Sequence, residues 1–284
     1  MQRRLFVINP ASGGRDKDDL IEKIKSNFED AQFFETTGKN DSDRLNEYIY
    51  HAKPDLVVIS GGDGTINEMS TALIAHDVPM GIIPKGSANG LATELGITME
   101  NALQTIKLGH TRNLDVVSIN DHLMIHMADI GLNASLIKRY EEEDRRGFLG
   151  YAISAIKELP NLEESFEVTI SSDDFEITLN TKFVVMANTR MYGTGYEINP
   201  NGVLDDQKIE ICVLKELSPE FISNKLFNNK PNISEQSIFA IYPVKNAEIT
   251  TNRAVNWQSD GEYLGTTDHL SIEVLDTQLK TICP

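Results

Sequence analysis

The sequence predicts an α/β domain built on a parallel sheet, followed by a β-rich, sandwich-like domain. Three observations carry this. Over roughly the first 115 residues, short apolar runs alternate with stripes of helical period. Beyond about residue 113 the stripes thin out, and short strand-like runs bounded by turn residues take over. In the first half, three glycine-containing loops each follow directly on a predicted strand.

Leu5, Phe6, Val7 and Ile8 form a short apolar run that suits a buried strand. Leu20, Ile21, Ile24 and Phe28 share one helical stripe. A second helix carries Leu45, Tyr48 and Ile49, with Asp41 or Ser42 as its cap. Residues 55–60 read as a buried strand, a helix with Ile66, Met69 and Leu73 follows, and residues 80–83 make another strand. This βαβαβ order implies a parallel sheet covered by helices.

In the second half, residues 113–119 and 122–128 pattern as a hairpin around Asn120-Asp121. Residues 148–159 read as a helix that stops at Pro160, and residues 221–227 as one short helix. Strand-like runs cover 166–170, 175–179, 183–187, 209–214, 238–242 and 270–275. The expected domains are 1–114 and 115–275, with a tail, 276–284, that returns to the first.

Acidic residues outnumber basic ones by 43 to 26, a formal net charge of −17. That balance argues against nucleic acid as a partner and against tight binding to anionic membranes. No run approaches the roughly 18–20 apolar residues of a membrane span, and the N-terminus lacks the apolar stretch and cleavage site of a signal peptide. A cytoplasmic protein is expected. Two cysteines make no disulfide framework, and the six histidines have no metal-ligand spacing, so His122 and His126 read as structural. The charge run 138–146 reads as a solvated helix face or loop, and as a flap over a ligand entrance in the sharper reading. Phe148, Leu149, Tyr151, Ile153 and Ile156 read as core rather than as the wall of an acyl-chain site.

The most informative segment runs from Val57 through Gly61-Gly62-Asp63-Gly64-Thr65 to Glu68. An apolar strand enters a glycine-rich turn and a helix begins at once. In open parallel sheets ligands bind at the carboxyl ends of strands. Glycines let the backbone reach phosphate oxygens, and a helix N-terminus supplies unpaired N–H donors. Thr65 adds a hydroxyl. Asp63 would repel a bare phosphate and suits a magnesium, water or ribose partner. A Walker A loop is excluded, since no Gly-Lys-Ser/Thr follows, and so is the dinucleotide fingerprint, whose glycine spacing differs. Asn9-Pro10-Ala11-Ser12-Gly13-Gly14 and Pro84-Lys85-Gly86-Ser87-Ala88-Asn89-Gly90 follow two further strands. All three loops should meet on one sheet edge.

With these loops the chain resembles the diacylglycerol kinase catalytic-domain superfamily, which includes bacterial lipid kinases and sphingosine kinases. Asn9-Pro10-x-Ser12-Gly13 is similar to the family's first nucleotide loop. Thr36, or its neighbour Thr37, stands where the family has a threonine ahead of an Asp-containing helix start. The segment 61–68 is similar to the family signature, and Pro84-x-Gly86-Ser87-Ala88-Asn89 to the third loop. Asn188 through Tyr192-Gly193-Thr194-Gly195 to Pro200, then Leu204-Asp205-Asp206, resembles the Asn…Gly-Gly…Pro…Asp stretch, and Asp260-Gly261-Glu262 the terminal Asp-Gly-Glu motif.

The resemblance implies a phosphofructokinase/NAD-kinase-like three-layer α/β nucleotide domain and a C-terminal β-sandwich-like domain. It implies ATP contacts from Asn9, Pro10, Ala11, Ser12, Gly13, Thr36, Gly61, Gly62, Asp63, Gly64, Thr65, Ile66, Asn67 and Ser87. Glu262 occupies the proton-acceptor position with Asp260 beside it, and sequence alone leaves the base open between them. Asp63 is counted with the catalytic carboxylates. A Mg2+ site is implied on the turn of Val203, Asp206 and Lys208, where Val203 and Lys208 have only backbone carbonyls to offer.

The chain departs from the bacterial pattern where Ser87 replaces a threonine, Gly90 an aspartate and Thr93 an arginine. Gly-Ser-x-Asn with Leu91-Ala92 is closer to the sphingosine-kinase form. Gln207 stands where glycine is usual after Asp206. The implied activity is ATP- and magnesium-dependent phosphorylation of a lipid hydroxyl, of diacylglycerol, a sphingoid base or a related lipid. The alternatives are NAD kinase and a non-catalytic nucleotide or lipid sensor. The implied partner is a lipid met transiently at the membrane surface, and a homodimer fits bacterial relatives.

Overall fold

The computed structural model describes residues 3–10, 17–86, 88–131, 164–192, 196–214 and 239–284. The chain divides into two compact units. One holds Met1–Val116, Leu204–Asp206 and Leu275–Pro284; the other holds Val117–Val203 and Gln207–Val274. The expected helices at 148–159 and 221–227 and the charge run at 138–146 lie outside the described residues.

In the first unit, β1 (Arg4–Ile8), β2 (Gln32–Glu35), β3 (Leu56–Gly61) and β4 (Met80–Pro84) form a parallel sheet in the order β4-β3-β1-β2. The end of the C-terminal strand adds in parallel beside β4 through Thr281 and Met80. β3 and β4 are buried throughout, as strands covered on both faces must be. Helices α1 (Lys17–Asn27), α2 (Asp41–Ala52) and α3 (Asp63–Ala75) alternate with the strands. They bury the expected stripes: Leu20 and Ile24, Leu45 and Ile49, and Ile66, Met69 and Leu73.

Sequence patterning missed β2. It has only four residues and sits on the sheet edge, so one of its side chains, Phe34, is buried and periodicity has little to register. Asp41 also corrects its expected role. It begins α2, yet its carboxylate reaches back to the N–H groups of Thr37 and Gly38 rather than forward along the helix. Two short helices, α4 (Gly90–Glu94) and α5 (Ala102–Leu108), complete this unit.

The second unit is antiparallel. β5 (His110–Ile119) carries its last residues into it and pairs with β6 (His122–Met124) across Asn120 and Asp121, both at positive φ. Two positive φ values mark the hairpin turn whose twist matches its strands. The expected second hairpin arm ends early, at Met124, and a separate strand β7 (Met127–Gly131) begins after Ile125 and His126.

The remaining strands are β8 (Phe166–Ser172), β9 (Glu176–Thr181), β10 (Phe183–Ala187), β11 (Met191–Tyr192), β12 (Tyr196–Glu197), β13 (Ile209–Leu214), β14 (Phe239–Val244), β15 (Asn246–Ser259) and β16 (Glu262–Cys283). The main order is β14-β13-β10-β7-β15-β16, with β8 on β15 and β9 on β8. Val184 and Met186 of β10 enter the larger core with Phe166, Ile211, Ile249, Trp257 and Leu270, while Phe183, Val185 and Ala187 enter a second core on the opposite face. β15 was not expected. Its polar residues alternate with buried Ala247 and Ile249, and register shifts at Thr250/Val255 and Trp257/Gln258 break the period.

Candidate active site

The candidate nucleotide edge, in the first unit, is built on the carboxyl ends of β1, β2, β3 and β4. Ile8 and Gly61 end β1 and β3 side by side, and Gly61 is in register with Pro84 at the end of β4. The backbone ties these ends together: Asn9 N–H to the Ser60 carbonyl at 3.2 Å, Lys85 N–H to the Gly61 carbonyl at 2.8 Å, and Thr36 N–H to the Ile8 carbonyl at 3.0 Å. Side chains add to this, with the Asn9 amide donating to Thr65 Oγ1 at 2.9 Å.

Two glycines explain why the second and third loops lie so close. A Cβ on Gly86 would stand 2.4 Å from the Gly62 Cα, and a Cβ on Gly62 would stand 2.9 Å from the Gly86 Cα. The two backbones touch, so neither position has room for a side chain. At Gly61 a Cβ would meet Thr65 at 2.7 Å, whereas at Gly64 it would meet nothing within 4 Å among the described residues.

Asp63 completes the lock. Its carboxylate accepts the N–H of Gly90 at 2.9 Å and of Leu91 at 3.2 Å, which caps α4 and ties the second loop to the third. Asn89, in left-handed conformation, folds its side chain onto the Gly86 N–H and carbonyl. The role of Asp63 in the structure is therefore a junction between loops. α3 starts from Gly62 with no side-chain cap, so its first-turn N–H groups keep the anion-binding potential of a helix N-terminus.

Beside this edge, buried Asp41 accepts N–H groups from Thr37 and Gly38, the Thr37 hydroxyl and the Arg44 guanidinium. Burial works to raise its carboxyl, but these donors win and hold it below its ordinary range. Thr36 is buried at the same edge. Asn67 and Ile66 sit in the first turns of α3, with Ile66 buried. Pro10 is described. Ala11, Ser12, Gly13 and Ser87 lie outside the described residues, as do Gly193, Thr194 and Gly195.

A separate candidate, within the second unit, is the turn between β15 and β16. Ser259 pairs with Glu262, and Asp260 and Gly261 between them both have positive φ, at 48° and 88°. Asp-Gly is a strong signal for this two-residue turn. The two carboxylates part company here. Asp260 is buried and its oxygens accept the N–H groups of Ile125, His126 and Met127, each at 2.9 Å. Burial pushes its carboxyl above the ordinary range, against the pull of His126 and those three donors. Glu262 is exposed. This grip on residues 125–127 also explains why β6 stops short: three N–H groups that a strand ladder would use are taken by Asp260.

Sequence reasoning missed the supports of this turn. Gln258, buried on β15, accepts the Gly261 N–H at 2.8 Å and donates to the carboxylate of Asp129, buried on β7. Asn188 donates to the Ile125 carbonyl at 2.6 Å, and Thr189 shares a hydrogen bond of 2.8 Å with Nδ1 of His126. A buried glutamine two residues before Asp-Gly-Glu was the available signal.

On the turn implied for a metal, Val203, Asp206 and Lys208 are exposed and Gln207 has φ 60°. Asp115 holds the turn's neighbour, taking its N–H to the Leu204 carbonyl at 2.7 Å. No group of three or more His, Cys, Asp or Glu that could hold a metal occurs among the described residues. One carboxylate with two backbone carbonyls fits only a hard cation that draws most of its ligands from water and phosphate, as Mg2+ often does. No helix among the described residues is long and apolar enough to cross a membrane.

Residues 3–119 match the diacylglycerol kinase catalytic domain, and residues 127–283 match the YegS C-terminal NAD kinase beta sandwich-like domain. A protein of Pectobacterium atrosepticum named "Probable lipid kinase YegS-like" is 29% identical, over 99% of this chain and 95% of that one. An uncharacterized protein of Synechocystis is 26% identical, over 98% of this chain and 70% of that one. Among solved structures, a diacylglycerol kinase from Bacillus anthracis superposes with a TM-score of 0.80 at 24% identity, covering 100% of this chain and 97% of that one. An NAD kinase from Archaeoglobus fulgidus in complex with ATP gives 0.57 at 14% identity, covering 98% and 93%. At these identities the two structures speak for the fold alone, which is the α/β plus β-sandwich-like architecture expected from sequence.

Proposed function

The chain belongs to the bacterial lipid kinase family that joins a diacylglycerol kinase catalytic domain to a YegS-type C-terminal domain, and we propose that it transfers the γ-phosphoryl group of ATP to the hydroxyl of a lipid. The observation that carries this reading is the backbone contact of Gly62 with Gly86, which brings two glycine loops and the start of α3 together at one sheet edge.

The triphosphate is held by backbone N–H groups of the glycine loops and by the α3 N-terminus, with Asn9 and Thr65 as side-chain donors. Asp63 contributes by fixing the loops. Glu262 accepts the proton of the lipid hydroxyl as its oxygen attacks the γ-phosphorus, and the bond to the β–γ bridging oxygen breaks to release ADP. Asp260 is the weaker candidate for the base, because its oxygens are taken by three backbone donors. Asp206 and the carbonyls of Val203 and Lys208 are the groups that would hold Mg2+, which supplies neutralisation of phosphate charge when bound. The net charge of −17 suits brief contact with a bilayer through a small local patch rather than an electrostatic anchor.

The test is transfer of radiolabel from ATP in the presence of Mg2+, with diacylglycerol, sphingosine, phosphatidylglycerol and NAD offered separately. Label in one lipid, lost in Glu262→Ala, is the expected result. Label in NAD alone would move the chain to NAD kinase chemistry, and no label anywhere despite ATP binding would favour a sensor.

A further inference from the structure

The Asp-Gly turn before Glu262 is held by two separate arms that share no atom. In one, Asp260 grips three consecutive backbone N–H groups of residues 125–127. In the other, Gln258 bridges from the Gly261 N–H to the carboxylate of Asp129. Asp129, Gln258 and Asp260 are all buried, so none of the three side chains is placed to touch a substrate. A carboxylate buried beside a glutamine costs desolvation energy that an apolar pair would avoid. A two-residue Asp-Gly hairpin turn needs no such support to form, since its residue types already favour it. The network exceeds what the fold requires at this point.

We propose that Gln258, Asp129 and Asp260 are positioning residues that fix the exposed Glu262 carboxylate through its backbone, so that proton acceptance depends on a buried clamp formed by the residues two and four places before it and by Asp129 on β7. This rests on the reading of Glu262 as the base. One arm holds the Asp260 side chain and the other the Gly261 N–H, both in the turn, so a slack clamp displaces Glu262, whereas no residue of the clamp belongs to the glycine loops. The lesion therefore falls on kcat and leaves the KM for ATP alone.

The test exchanges partners across the clamp. Gln258→Glu keeps the acceptor for Gly261 but sets a second carboxylate against Asp129. The double variant Asp129→Asn/Gln258→Glu restores a donor facing an acceptor with the order reversed. The single variant is expected to lose kcat by at least about tenfold with KM for ATP within about twofold, and the double variant to regain most of the loss. A folded Gln258→Glu protein with wild-type kcat, or a double variant that melts like wild type yet stays as slow as the single one, would overturn the proposal.

Should the single variant fail to fold, Glu262→Asp decides. It changes only an exposed side chain, and withdrawing the carboxylate by one methylene should lower kcat by about a hundredfold if its position is fixed. Retention of kcat within about threefold would overturn the clamp. A wild-type protein that labels no acceptor would refute the reading of Glu262 and this inference with it; an active wild type with indifferent variants refutes this inference alone.

Discussion

Two candidate regions, one in each unit, solve the same problem by opposite means. In the first unit, loops are brought together by the absence of side chains: Gly62 and Gly86 touch backbone to backbone, and Asp63 stitches across them. In the second unit, a turn is held by side chains, with Asp260 and Gln258 gripping main-chain N–H groups. The first arrangement leaves the start of α3 without a side-chain cap. The second buries its polar groups and exposes a single carboxylate. Backbone donors recognise a ligand best when nothing stands before them, whereas a lone base needs anchoring from behind.

The largest effect that would sharpen this contrast is on Glu262. Glu262→Ala should lower kcat by about a hundredfold or more, with thermal stability unchanged because the side chain is exposed. Turnover assays beside a melting curve check it. Next comes Gly86→Ala, whose added carbon would stand 2.4 Å from the Gly62 Cα. It should cost about 1–3 kcal/mol of stability in denaturant titration and weaken ATP binding. Gly64→Ala is its control: among the described residues the added carbon meets no neighbour within 4 Å, so stability should hold.

A smaller effect concerns Asp41. Its donors keep the carboxyl below the ordinary value of 3.8 despite burial, so its stabilising contribution is complete above that value and is lost as pH falls through the folded value. Asp41→Asn should therefore be less stable than wild type at neutral pH, and the gap should close in strong acid. Unfolding followed across that range measures it. The smallest effect is at Gln207, held at φ 60°, a left-handed conformation that favours glycine. Gln207→Gly should raise stability by roughly 1 kcal/mol by denaturant titration and leave ATP binding alone.

Much of the first unit was legible because its signals are local. Apolar runs such as 56–59 announce buried parallel strands, and a glycine turn before Ile66, Met69 and Leu73 announces strand-to-helix phosphate geometry. β2 escaped because four residues on a sheet edge bury too little to leave a pattern. The second unit was harder because its long strands draw on distant partners. β15 pairs with β7, β8 and β16, and its bulges shift the alternation that would have revealed it. The carboxylates show the same limit. Asp63 and Asp260 stand in motifs that suggest chemistry, but their oxygens are taken by backbone donors 27 and 133–135 residues away in sequence. No spacing rule reports such a contact. Glu262 looked equivalent to Asp260 in sequence, and only alternation across the turn, one side chain buried and the other exposed, separates them.

The central claim is that nucleotide binding belongs to the glycine-locked edge and proton acceptance to the turn. Calorimetric titration of ATP into the Gly86→Ala and Glu262→Ala proteins tests it most directly. The account predicts that Gly86→Ala weakens ATP binding by about tenfold or more while Glu262→Ala binds it as wild type does. Wild-type affinity in Gly86→Ala, together with a large loss in Glu262→Ala, would contradict it.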